Sequence, residues 1–284
     1  MQESELILNL DGSVYHLAIL PSDIANTIIT VGDPSRVEKV TQHFDSIEVK
    51  KANREFVIHT GHYLDKRLTC MSTGMGTDNI DIVLNELDAL VNIDLKSRQI
   101  KQTHTSLTIV RIGTSGSINN TVPVGSVVAT DVAIGLESLF AWYQLPQLTE
   151  KETKWLEALQ NTSLPIRPFV FEADQPLLDA FLTAFDSGIT LTTGGFYAPQ
   201  NRKLRLQPST NIIQSLGSLK VDHTAITNIE METAGLYGLS KLLGHRCVSI
   251  NAIMANRLTG EFASNPDQIM AKTIQTTLDI LCKS

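Results

Sequence analysis

The sequence predicts an α/β fold: one domain over residues 1–284 with a central mixed β-sheet flanked by helices. Short β-branched apolar runs, such as 27–31 and 108–112, alternate with stretches of helical apolar spacing. The runs end in glycine-bearing segments, Gly32-Asp33-Pro34, Gly74-Met75-Gly76 and Gly113-Thr114-Ser115-Gly116, as strands do where a sheet meets a ligand crevice. No repeat, low-complexity tract or linker divides the chain, and 284 residues at 42% hydrophobic supply an ample core.

Taken in order, 27–31 is the first clear strand, and Val37, Val40 and Phe44 mark a helix behind Pro34, whose missing N–H costs nothing at a helix start. Arg36 in that first turn runs against the helix dipole, which favours acids there, so it suggests an anion held between its guanidinium and the amides. A solvated surface arginine is the plainer alternative. Residues 56–59 and 67–71 read as a hairpin. Helical spacing follows over 79–90, with Ile80, Val83, Leu84 and Leu87 on one face. The polar stretch 92–105 reads as a solvated loop or a helix extension. The run from Thr108 reads as a buried parallel strand that breaks into a tight turn at Gly113–Gly116, with Arg111 and Thr114 facing the crevice. Strands follow at 124–130 and 189–193, helices at 148–159 and 175–185. The loop 194–202 carries Phe196, Gln200 and Arg202, which could offer an aromatic face and edge donors to a planar polar ring, or could be a mobile polar loop. Glu230-Met231-Glu232 opens a helix over 233–243, where carboxylates either cap the helix or accept sugar hydroxyls. A strand over 248–255 and a helix over 266–281 close the chain.

Composition removes several classes. With 30 acidic against 23 basic side chains the net charge is −7 and no basic stripe is present, which argues against nucleic acid. No apolar run nears the ~18 residues of a membrane span. Cys70, Cys247 and Cys282 are scattered, so no disulfide or zinc framework is expected, and with an acidic start at Met-Gln-Glu-Ser-Glu the expected location is the cytoplasm. His59 and His62 lack further ligands nearby, so no metal is expected. The glycine segments fit neither G-x-G-x-x-G nor the P-loop, and Gly113-Thr-Ser-Gly-Ser misses the G-x-S-x-G elbow.

In combination, Gly32-Asp33-Pro34-Ser35-Arg36-Val37-Glu38-Lys39, Arg54-Glu55-Phe56, Arg111-Ile112-Gly113-Thr114, Phe196-Tyr197 with Gln200 and Arg202, Glu230-Met231-Glu232 and Asn256-Arg257 resemble the nucleoside phosphorylases of the uridine phosphorylase type over nearly the whole chain. The resemblance implies a nucleoside phosphorylase-like fold and reversible phosphorolysis of a pyrimidine nucleoside to free base and ribose 1-phosphate, a pentosyl transfer. It implies phosphate binding by Gly32, Arg36, Arg111 and Thr114, with Arg54 supplied by the neighbouring subunit. It implies ribose binding by Met231, Glu232 and Glu230, with His16 reaching the 5′-hydroxyl across a dimer interface, and base binding by Phe196, Gln200 and Arg202. Arg111, Glu232 and Arg202 would carry the catalysis. Phosphate is a co-substrate and no cofactor follows. The partners implied are the nucleoside and inorganic phosphate, with neither nucleic acid nor membrane, in a homodimer at least and a hexamer of three dimers as the larger form.

The chain departs from that pattern at Gly76-Thr77-Asp78-Asn79, where Gly-Gly-Pro-Ser is usual, at Thr192–Gly195, and in the long polar segment 92–105. A purine nucleoside phosphorylase of the same fold is the nearest alternative, but it would place a Ser-Asp pair where this chain has Ala255-Asn256-Arg257. A nucleosidase would lack the phosphate arginines. A non-catalytic nucleoside-binding protein would have lost a phosphate or ribose group.

Overall fold

The structure, a computed structural model, describes residues 1–283. In chain order its elements are β1 (Thr27–Val31), α1 (Pro34–Thr41), β2 (Ser46–Asn53), β3 (Phe56–Tyr63), β4 (Lys66–Ser72), α2 (Thr77–Asn92), β5 (Ile93–Asp94), β6 (Gln99–Ile100), β7 (Thr108–Ser117), β8 (Val127–Leu136), α3 (Glu150–Gln160), β9 (Phe169–Glu172), α4 (Gln175–Phe181), β10 (Asp186–Thr193), α5 (Ile212–Leu216), β11 (Lys220–Val221), β12 (Thr224–Glu230), α6 (Thr233–Leu243), β13 (Arg246–Asn256) and α7 (Pro266–Lys283).

One mixed sheet runs β11-β12-β10-β8-β13-β7-β1-β4-β3-β2, with β9 on β8. The far end of β12 turns back onto β7, pairing Asn228 with Ser117 and Ile229 with Gly116. Strands β7, β13, β8, β10 and β12 therefore close on themselves as a small barrel, and the remaining strands extend from β7 as an open sheet. Alternation along β1 sends Ile28 to one apolar layer with Ile80, Val83 and Leu87 of α2, and Ile29 to the other with Val37 of α1 and Ile274 of α7. A third apolar cluster joins α3 and α5 to the barrel through Trp155, Leu159, Ile212 and Leu216. Among the described residues no helix is long and apolar enough to cross a membrane.

The turn expected at Gly113–Gly116 is absent: β7 runs on to Ser117, pairing Gly113 with Asn251 and Gly116 with Ala255 of β13. The glycines serve close approach instead. A Cβ on Gly113 would lie 1.4 Å from Nη1 of Arg111, and one on Gly116 would lie 3.2 Å from Cδ of Arg257. Two arginines fold back over the strand where those side chains are missing. The stretch 92–105, expected as a solvated loop or a helix extension, contains the β5–β6 hairpin instead, pairing Ile93 with Ile100. Strands β2 and β9 have no counterpart in the sequence reading. β2 is an edge strand with no buried residue, so its apolar alternation is weak.

Candidate functional site

The carboxyl ends of β1, β7, β12 and β13 meet at one edge of the sheet, where they surround a cavity of about 790 Å³. Gly32, Arg36, Arg111, Thr114, Phe196, Gln200, Arg202, Glu230, Met231 and Glu232 all line it. Residues spread over two hundred positions thus converge because the strands that carry them end together.

One end is cationic. Asp33 caps α1, its Oδ1 accepting the Ser35 N–H at 2.8 Å, and this orients Arg36 in the first turn, where Nη1 donates to the Ile112 carbonyl at 3.3 Å. Burial and the neighbouring Arg111 both push Arg36 below its ordinary pKa. Two guanidiniums that repel one another leave a place for an anion. Arg111 itself is buried. Its Nη2 donates to Glu232 Oε2 in a very close contact and lies 3.4 Å from Glu230 Oε2, while Nη1 donates to Asn251 Oδ1 at 3.1 Å. Burial works against its charge, but the two carboxylates outweigh burial and hold its pKa up.

The two carboxylates differ. Glu230 accepts from the Thr192 hydroxyl at 2.6 Å, from the Glu232 N–H at 2.9 Å and from the Thr233 N–H at 3.0 and 3.1 Å. Its oxygens are filled by the chain itself, so it caps α6 and braces Arg111. Burial pushes its carboxyl up, and Arg111 pulls it back. Glu232 is held more lightly, with Oε1 accepting from the Gly76 N–H at 2.7 Å and Oε2 on Arg111. It can take hydroxyl donors beside the apolar wall of Met231 and Met75.

At the opposite end Arg202 lies flat on Phe196, Cζ 3.5 Å from the ring centroid, and donates to the Phe196 carbonyl at 2.7 Å and to Gln200 Oε1. Burial, with the charge of Arg257 behind it, pushes Arg202 down to about 10. Gln200 is fixed by the Glu230 carbonyl, which accepts from Nε2 at 3.4 Å. Arg257 has a buried Nη1 with no partner among the described residues. This end gathers uncompensated positive charge beside an aromatic face.

His16 and Arg54 lie outside the cavity lining. His16 Nδ1 is 2.6 Å from Glu86 Oε1, and Arg54, at φ 54°, covers the Tyr15 ring, which meets His16 edge-on. The two come together on one surface patch through Tyr15. The sequence reading did not assign Asn251, Ser115, Met75 or Arg257 to the site. Only Arg257 had a signal, the Asn-Arg pair closing the last strand. Among the described residues one other group has ligand-like spacing, Asp88, His104 and His245. There Nδ1 of His245 accepts the Leu107 N–H at 3.2 Å, so a neutral ring keeps its hydrogen on Nε2 and has no lone pair left for a metal.

Comparison with known proteins agrees with this geometry. A family model described as the phosphorylase superfamily matches residues 26–283. A uridine phosphorylase of Thermococcus kodakarensis is 28% identical over 277 residues, 96% of this chain and 88% of that one. A DeoD-type purine nucleoside phosphorylase of Lactococcus lactis is 27% identical, covering 91% of this chain and 93% of its own. Among solved structures, a Trypanosoma brucei nucleoside phosphorylase reported to show uridine phosphorylase activity superposes with a TM-score of 0.91 at 28% identity, over 98% of this chain and 100% of that one.

Proposed function

The chain belongs to the phosphorylase superfamily, and on that footing we propose that it is a nucleoside phosphorylase, a pentosyltransferase that cleaves uridine with inorganic phosphate to give uracil and ribose 1-phosphate. The whole chain is then one phosphorylase domain. The observation that carries the reading is the order of groups along one cavity: Arg36 and Arg111, then Glu232 with Met231, then Gln200 and Arg202 beside Phe196.

Phosphate enters as a nucleophile that is already anionic, so no general base is needed. Arg36, Arg111 and Thr114 hold it beneath C1′, and Glu232 accepts the ribose hydroxyls, fixing the sugar in line. As the phosphate oxygen bonds to C1′, the C1′–N1 bond breaks and its electron pair moves onto the uracil ring. The charge that develops on the base falls beside Arg202 and Gln200, with Arg257 behind, in a site whose donors are placed before the reaction begins. Phosphate is the only co-substrate this chemistry requires, and no cofactor enters. Glu230 serves by capping α6 and steadying Arg111.

The pyrimidine preference rests on the Gln200–Arg202 edge and on the end of β13, where Ala255, Asn256 and Arg257 offer no acid to protonate a purine ring nitrogen. Because His16 and Arg54 gather on a patch outside their own cavity, we read them as completing the cavity of a second copy, in a homodimer or an assembly of such dimers. The scattered thiols, with Cys247 pushed up to about 12 by burial, suit a reducing cytoplasm.

The test is base release followed by ultraviolet absorbance from uridine and from inosine, each with and without phosphate. Phosphate-dependent uracil release with inosine untouched supports the reading. Inosine cleavage alone reassigns the Gln200–Arg202 pocket to a purine, and release without phosphate makes the protein a nucleosidase. No release from either leaves a nucleoside-binding protein.

A further inference from the structure

The barrel encloses a line of polar side chains that touches the cavity only at its two ends. Strand β7 contributes two members and each of the other four barrel strands one. Arg111 of β7 donates to Asn251 of β13 at 3.1 Å, and Asn251 Nδ2 donates to Thr130 of β8 at 3.1 Å. Thr130 and Thr190 of β10 are 2.6 Å apart, Thr190 donates to Asn228 Oδ1 of β12 at 3.0 Å, and Asn228 Nδ2 donates to Ser115 of β7 at 2.9 Å. The line leaves β7 at Arg111, crosses four strands and returns to β7 four residues on. Asn251, Thr130, Thr190 and Asn228 are fully buried, and only Arg111 and Ser115 line the cavity.

Chemistry fixes the direction of every bond. A guanidinium only donates, so the Asn251 oxygen must face Arg111 and its NH₂ must face away. Thr190 commits its hydrogen to Asn228 Oδ1, so Thr130 is the donor of the Thr130–Thr190 pair. The hydrogens therefore all point one way, from Arg111 round to Ser115, and each bond polarises the next. Ser115 receives a hydrogen bond at its oxygen and keeps its own hydrogen free at the cavity wall. Register places Asn251 directly across from Gly113, over which the Arg111 guanidinium lies.

We infer that Asn251, backed by this girdle, is the positioning residue for Arg111. Glu230 and Glu232 attract the guanidinium through one edge and would by themselves let it swing with Glu232 as the sugar binds. Asn251 is a neutral acceptor on the other nitrogen. It pins the guanidinium plane without adding negative charge beside the incoming phosphate, and the girdle keeps the amide from turning its NH₂ toward the arginine. This rests on the phosphorylase reading given above.

The test is titration calorimetry of the full chain with inorganic phosphate, together with KM for uridine, on the wild type, Asn251→Ala and Thr190→Val, with circular dichroism to check folding. Asn251→Ala should weaken phosphate binding about tenfold, the size of one hydrogen bond to a charged group, with KM for uridine unchanged within about twofold. Thr190→Val keeps volume and touches neither substrate, and should weaken phosphate about two- to threefold by releasing the amide. A folded Asn251→Ala chain that binds phosphate as the wild type does overturns the proposal. If Asn251→Ala fails to fold, Thr190→Val decides, and unchanged phosphate affinity there overturns it. Weak binding in Asn251→Ala with none of it in Thr190→Val overturns the girdle and leaves Asn251 acting alone. A wild type that neither binds phosphate nor cleaves uridine overturns the phosphorylase reading and this proposal together, whereas binding that is indifferent to both variants overturns only the proposal.

Discussion

Two clusters of ionisable side chains lie at opposite edges of the same sheet. At the carboxyl edge, Arg111, Glu230 and Glu232 open into a cavity of about 790 Å³. At the amino edge, where β7 and β13 begin, Asp88 of α2 meets His245 at 3.4 Å, and His104 stacks on His245 with ring centroids 5.9 Å apart. His104 Nε2 is 2.8 Å from the Leu243 carbonyl, Ser106 donates to the Gly244 carbonyl at 2.8 Å, and Asn92 Nδ2 donates to Asp88 at 2.6 Å. These bonds tie the segment after the β5–β6 hairpin to the end of α6. The first buries its charges yet leaves them facing a space, on strand ends where a ligand can be reached; in the second only His245 is buried. The second ties side chains to backbone groups of the chain itself and closes a loop. A shifted titration marks both, at Arg111 and Glu230 and at Asp88, so what separates a site from a clasp is strand polarity and an opening.

The largest effect expected from breaking this contrast lies at Arg111. Arg111→Met removes the proposed phosphate donor and strands two buried carboxylates. Phosphate-dependent kcat/KM should fall about a thousandfold, with a stability loss of about 3 kcal/mol in urea unfolding. A chain with more than a tenth of wild-type turnover would remove Arg111 from the chemistry. Next comes Gly113→Ala. The new methyl would meet Nη1 of Arg111 at 1.4 Å, so the guanidinium must leave its place. Turnover should drop about a hundredfold, while overpacking lowers stability by only about 1–3 kcal/mol. Turnover that survives this change would show that the folded-back arginine is not the working one.

The sequence made the outer sheet and the site residues legible for different reasons. Thr27–Val31, the 67–71 strand and the α2 face were readable because apolar period and burial coincide there, as Ile80, Val83, Leu84 and Leu87 illustrate. Arg36 stood out because a cation in the first turn of a helix runs against the dipole, Arg111 because it sits near a strand end, and Glu232 and Arg202 because their chemistry suits hydroxyls and a planar polar ring. Gly113 and Gly116 misled, since a glycine that makes room for another residue's side chain looks the same in sequence as one that bends the chain. The girdle was invisible. Thr130, Thr190, Asn228 and Asn251 sit singly in apolar strands, and their meaning appears only when β12 closes back onto β7 and brings five strands round one axis. The stretch 92–105 is solvated as expected, but its hairpin and its ties to Leu243 and Gly244 were not legible, because those anchors lie far along the chain.

The amino-edge cluster should answer to stability alone. His104→Ala removes a hydrogen bond and a ring stack at the clasp. It should cost about 1 kcal/mol in urea unfolding and leave kcat/KM for uridine unchanged. A fall in turnover matching that at the carboxyl edge would erase the contrast between the two clusters.

The smallest effect is one of pH. Burial disfavours the Asp88 carboxylate, but hydrogen bonds from His245 and Asn92 outweigh it and hold its carboxyl below the ordinary range. A folded pKa below the unfolded value means that the unfolded chain binds the proton more readily. Asp88 therefore contributes stability that is fully present above about pH 4, the ordinary carboxylate value, and is lost as pH falls through the lower folded value. Asp88→Asn should be less stable than the wild type at neutral pH, with the gap narrowing as pH drops below about 4. Its activity profile near neutrality should follow the wild type, because Asp88 lies at the edge of the sheet away from the cavity. Urea unfolding at a series of pH values measures the gap. A gap that stays constant down to about pH 2.5 would mean that Asp88 acts through packing alone, and that the amino-edge cluster is held by its neutral hydrogen bonds, leaving charge a working role only where the cavity opens.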